Sequence, residues 1–143
     1  NSIRRNSLIE DIYRNFKKIY FSKNIQSSNK IEDYLNSSTG NFIIASQSMN
    51  IYKFNKKVVQ INPLSLKTIN LNNDSNIIFN TLKVMNVRYI HFTPYPGFVP
   101  GLTEKLEKYN FNLNKIKKFS NVELILKINL GNNKFEELYE IKY

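Results

Sequence analysis

The sequence predicts an α/β domain, a mixed sheet flanked by helices, with a helix ahead of it and a strand at its C-terminal end. Three observations point there. A chain of 143 residues that is 41% hydrophobic has the size and apolar content of one packed domain. Between residues 73 and 119 the pattern alternates helix, strand, Pro/Gly loop, helix, strand, as parallel βαβ connections do. Residues 121–128, NVELILKI, alternate, with Val122, Leu124, Leu126 and Ile128 on one side.

Taken in order, residues 2–20 read as a basic amphipathic helix. Ile3, Leu8, Ile12, Phe16 and Ile19 recur at helical spacing, and Ser7 with Glu10 forms a capping box. Weak strand signals follow at 19–25 and 30–35. The cluster Ser37-Ser38-Thr39-Gly40-Asn41 reads as a turn, and 41–46 as a strand, which together suggest a hairpin around Gly40. A basic loop over 47–57 leads to a short strand at Val58, Val59 and Ile61, stopped by Asn62-Pro63. Asn73-Asp74-Ser75 caps a helix that places Ile77, Ile78, Leu82 and Met85 on one side and ends near Asn86. A buried-type strand runs from Val87 to Phe92. The segment from Pro94 to Gly101 holds three Pro and two Gly and reads as a stiff loop. A short helix from Leu102 to Tyr109 and a strand through Phe111, Leu113 and Ile116 come next. After the strand at 121–128, Gly131-Asn132-Asn133 makes a turn, and KFEELYEIKY reads as a short acidic helix or irregular tail. The divisions expected are 1–25 as an N-terminal extension, 26–120 as the α/β domain and 121–143 as a C-terminal extension.

Composition bounds the chemistry. The absence of Cys excludes disulfides, thiolate metal sites and Cys nucleophiles, and a single His excludes a multi-histidine metal centre. No apolar run reaches the length of a membrane span, and no secretory leader is visible. A targeting peptide removed ahead of Asn1 is compatible with this start. His91 sits mid-strand between Ile90 and Phe92 with no nucleophile elbow, so it reads as a core or edge histidine. Glu32-Asp33 and Glu136-Glu137 are adjacent pairs whose members point apart. There is neither a Walker loop nor a GxGxxG. No catalytic residue, cofactor, metal or small-molecule substrate is expected.

The formal net charge is +10. Residues 1–120 hold all of this excess, and 121–143 are slightly acidic. Such a field favours a polyanion, nucleic acid before an anionic membrane. Lys53, Lys56 and Lys57 around Phe54, and the run Lys115, Lys117 and Lys118, are the basic candidates. The loop Thr93, Pro94, Tyr95, Pro96 and Gly97 lies between a strand and a helix, where backbone N–H groups meet phosphate.

In this order, Gly40-Asn41, Phe54 with Lys56 and Lys57, Asn62-Pro63, Asn86-Val87-Arg88, Thr93-Pro94-Tyr95-Pro96-Gly97, and Leu102, Leu106, Asn110-Phe111, Leu113 and Ile116 resemble the universal small-subunit ribosomal protein eleven family over residues 30–120. The Arg that follows the family's loop is replaced by Phe98, and the family's basic C-terminal tail is replaced by residues 121–143. The resemblance implies the ribonuclease-H-like fold without catalytic carboxylates. It also implies a structural constituent of the small subunit of a mitochondrial ribosome, in the matrix, at the platform near the messenger RNA exit. The partners would be small-subunit ribosomal RNA and neighbouring ribosomal proteins. Carried over by position, Lys53, Lys56 and Lys57 would contact RNA phosphates, and Thr93 to Gly97 would approach the RNA backbone. Lys115, Lys117 and Lys118 would add further contacts.

A second resemblance is carried by Leu82-Lys83 followed by Asn86-Val87-Arg88-Tyr89-Ile90, a helix-to-strand step, and by the closing strand at 121–128. Soluble C-terminal domains of membrane glycosyltransferases show this step and end in such a strand. A basic adaptor that lays helix 2–20 on an anionic membrane is the third reading.

Overall fold

The structure, a computed structural model, describes residues 30–49, 52–62, 74–97, 100–101 and 103–143. The predicted helix at 2–20, the strand signal at 19–25 and the proposed N-terminal extension lie outside them.

Residues 30–37 form a helix, α1. The weak strand signal at 30–35 is therefore corrected. Ile31 and Leu35 are one helical turn apart and both fully buried. The Ser37 and Ser38 hydroxyls donate to the Tyr34 carbonyl as the helix ends. No hairpin forms around Gly40. The glycine turns the chain from α1 into a strand, at a φ of 79° that suits glycine.

That strand is β1, Phe42–Ser46, and β2 is Val58–Ile61. Helix α2, Ser75–Val84, starts where the cap cluster predicts: the Asp74 carboxylate accepts from the Asn76 N–H at 2.9 Å. Ile78 and Leu82 are buried, whereas Ile77 is exposed. Strand β3 is Val87–Phe92. Helix α3 is Thr103–Asn114, followed by a 3₁₀ turn, Lys115–Lys118. The predicted strand at 111–116 is thus helical. Its inward residues are Leu106, Tyr109, Leu113 and Ile116, spaced three and four apart, while Phe111 is 66% exposed. Strands β4, Val122–Gly131, and β5, Lys134–Ile141, form an antiparallel hairpin. Asn132 and Asn133 between them have φ of 53° and 57°, the double left-handed geometry of a tight type I′ turn. The predicted acidic helix or irregular tail is β5.

The five strands make one mixed sheet in the order β2-β1-β3-β5-β4. β1 pairs in parallel with β2 and β3, and β5 is antiparallel to both β3 and β4. The mixed sheet flanked by helices is as the sequence predicts. The last strand lies inside the sheet, between β3 and β4. One face carries Ala45, Ile90, Val122 and Ile141 under Ile78 and Leu82 of α2 and Tyr109 and Leu113 of α3. The other carries Phe42, Ile44, Tyr89, Ile128 and Leu138 with Ile31 and Leu35 of α1, and Phe54 packs against it.

Candidate functional site

At the carboxyl end of β1, Ser46 lies beside His91 of β3 in the parallel register. His91 in turn pairs with Leu138 of β5, which sets Glu136 two residues along on the same face. Open α/β sheets place their sites at this end, where successive connections leave to opposite sides. Here β1 leads to β2 on one side, and β3 lies on the other.

The group assembled is a buried polar chain. His91 Nδ1 is 2.8 Å from Ser46 Oγ and 2.9 Å from the Tyr52 hydroxyl. His91 Nε2 bonds the Glu136 carboxylate. Ser46 Oγ accepts from the Ser48 N–H at 3.0 Å, so its own proton is free to point at Nδ1. Burial, and next the negative charge of Glu136, push the Tyr52 phenol far above the ordinary tyrosine range, so it stays a donor. Nε2 faces a carboxylate, which only accepts, and Nδ1 faces hydroxyls that can donate, so the ring's proton belongs on Nε2. Sequence reasoning placed His91 correctly in the interior but missed this constellation. Its members come from three strands and a loop, and the position of Glu136 reads as tail. The alternation of β5 was the available signal.

The chain serine–imidazole–carboxylate has the order of a proton relay. Its burial argues for another use. Ser46 and His91 are 0% exposed and Glu136 2%, so no reacting group reaches the hydroxyl without rearrangement. What the chain does in this arrangement is tie β1, β3, β5, Ser48 and Tyr52 together at one end of the sheet.

The loops above it are also closed on each other. The Gln47 amide oxygen accepts from the Thr93 N–H at 3.0 Å, and its amide nitrogen donates to the Asn110 carbonyl. The Gln47 N–H donates to the His91 carbonyl and the Met49 N–H to the Pro96 carbonyl. A side chain at Gly97 would meet Met49 Cβ at 3.3 Å, and the Gly97 φ of 96° favours glycine as well. The Tyr95 N–H donates to Thr93 Oγ1. Pro94 and Pro96 have no N–H. The expected anion cradle at 93–97 therefore has most of its donors engaged within the protein.

The basic candidates do not converge. Lys53 and Lys57 are exposed beside α1, where the Lys53 and Asn55 N–H groups donate to Glu32 and Asn36 side chains. Lys56 folds inward, its ammonium 4.9 Å from the Phe42 ring centre. The 3₁₀ turn lies on the opposite face of the sheet, with Ile116 packed in the α2–α3 core. Lys117 there pairs with Glu137 at 2.7 Å and lies over Phe92. Lys115 lies over Phe111, and Lys118 is exposed beside Phe119. The Thr93–Gly97 loop is at the sheet's end. Among the described residues no group of His and carboxylate side chains has the makings of a metal site, and no helix is long and apolar enough to cross a membrane. Compared with known family models, curated proteins and solved structures, the chain matches none.

Proposed function

We propose that this chain is a non-catalytic α/β domain belonging to a membrane-bound glycosyltransferase, the part of that enzyme that stands outside the bilayer. The observation that carries the reading is the step from α2 through Asn86 into β3, completed by a C-terminal hairpin paired onto β3. Asn86 takes the left-handed conformation, φ 57°, that lets the strand leave directly from the helix end. The helix-to-strand step is the one on which the sequence resemblance to such domains rests, and the strand that the resemblance also draws on, 121–128, is β4. Gly40-Asn41 and Phe111, Leu113 and Ile116, on which the ribosomal resemblance draws, lie in a helix-to-strand turn and in α3 with its 3₁₀ turn.

The second reading, a mitochondrial small-subunit ribosomal protein that binds ribosomal RNA, keeps one observation in its favour. Lys53 and Lys57 are exposed on a chain of net charge +10. Fractionating the endogenous full-length protein separates the two. Recovery from membranes only after detergent is the expected result. Co-sedimentation with the small ribosomal subunit through moderate salt would overturn it and install the ribosomal reading.

A further inference from the structure

Lys56 and Arg88 both approach the Phe42 ring at the amino ends of the parallel strands, away from the His91 chain. The pairing of Phe42 with Val58 sets residues 56–57 beside the turn at 38–41. The Lys56 ammonium lies 4.9 Å from the Phe42 ring centre; its nitrogen is buried and has no hydrogen-bond acceptor among the described residues. A buried ammonium without an acceptor is costly, and a ring face returns only part of what water gave it. Arg88 of β3 brings a second cation, its guanidinium carbon 5.6 Å from the same ring. One of its nitrogens donates to the Thr39 carbonyl at 2.7 Å. Another is 3.9 Å from Glu140, the one carboxylate paired with it among the described residues, and a third of its side chain is still open to solvent. Beside them, a side chain built at Gly40 would meet nothing within 4 Å.

We propose that Lys56 and Arg88 hold the terminal phosphate of a small molecule at the Phe42–Gly40 corner. A terminal phosphate carries nearly two negative charges and three acceptor oxygens. One oxygen supplies the acceptor that the Lys56 ammonium lacks. The Arg88 fork presents the N–H groups left over from Thr39 and Glu140 to the others. A phosphodiester brings one charge, so it matches this pair of cations less well. The inference does not depend on which larger protein the domain serves.

The test is a titration of the full chain with inorganic phosphate, against sodium chloride of equal ionic strength, followed by calorimetry and by NMR of the arginine side-chain nitrogens. Saturable binding that shifts the Arg88 signal is expected. Lys56→Met should weaken that binding at least about tenfold, the loss typical of one charge-assisted hydrogen bond. Lys57→Met, at the exposed neighbour, should leave it unchanged. Without phosphate, Lys56→Met should melt no lower than wild type, because the variant removes a buried charge and keeps the stem. Unsaturable binding, an unmoved Arg88 signal, or equal affinity in Lys56→Met would overturn the site. Dimethyl phosphate binding as tightly as phosphate would overturn the assignment to a terminal phosphate. Should Lys56→Met fail to fold, the wild-type Arg88 shift decides the question alone.

Discussion

His91 carries partners on both ring nitrogens and is fully out of solvent, so each partner's loss has a calculable direction. Replacing His91 by Leu leaves the Glu136 carboxylate buried with neither of its oxygens bonded, because among the described residues its second oxygen already has no partner. Breaking a buried pair from one side costs about 3–5 kcal/mol. Removing both side chains together leaves a dry, apolar site and costs less, because the carboxylate's desolvation goes with it. Urea denaturation of His91→Leu, Glu136→Leu and the double variant checks this. The single His91 variant should be the least stable and the double should recover part of the loss. Strict additivity of the two singles would show that the pair is not coupled. At this scale the sequence was partly legible. A lone histidine flanked by Ile90 and Phe92 reads as interior, and it is. Its acid lies 45 residues away on a strand that long-range pairing creates, and nothing local announces it.

The joint between α2 and β3 is the element on which the functional reading rests, and it turns on one residue. Asn86 is exposed, with φ of 57°, and its N–H donates to the Lys83 carbonyl to finish the helix. Only Gly and, less easily, Asn or Asp adopt this conformation at small cost. Asn86→Gly should therefore stay within about 0.5 kcal/mol of wild type, while Asn86→Val should lose about 1–2 kcal/mol to Cβ crowding. Thermal melts of the pair measure it. Equal melting of the Gly and Val variants would mean that the joint tolerates either hand of turn. This element was legible because its signals are local: an Asx cap, two inward residues one turn apart, an Asn stop. Helix α3 was misread past Tyr109 because Phe111, Leu113 and Ile116 look like a strand when Phe111 is counted inward. The sheet surface selects Tyr109, Leu113 and Ile116 instead, a helical set, and Phe111 faces water. Strand β5 was misread for the complementary reason. Its alternation mixes Glu136 with Leu138 on one face, since one of its inward positions is an acid that His91 satisfies.

For the molecule as a whole, the order of strands was the part least visible in the sequence, because order is settled by which edges find partners after the chain has collapsed. The sequence divides naturally at residue 120, where the basic body gives way to a slightly acidic end. The sheet makes no such division. β5 lies between β3 and β4, and Tyr139 and Ile141 belong to the core under α2 and α3. The Tyr143 hydroxyl reaches back to the Val87 carbonyl at 2.6 Å. If residues 121–143 were an extension, a chain ending at 120 would fold and melt cooperatively. In this architecture the shortened chain exposes the pairing edge of β3, which is a buried-type strand with Tyr89, Ile90 and Phe92 fully or nearly fully covered. It also leaves His91 without Glu136. An apolar edge opened this way pairs with other chains rather than remaining single. The expected outcome for residues 1–120 is therefore loss of the cooperative thermal transition expected of the full chain, with aggregation, read by circular dichroism and size-exclusion chromatography. A monomeric product that still unfolds in one sharp transition would place the folding unit within the first 120 residues and return the hairpin to the role of an appendage.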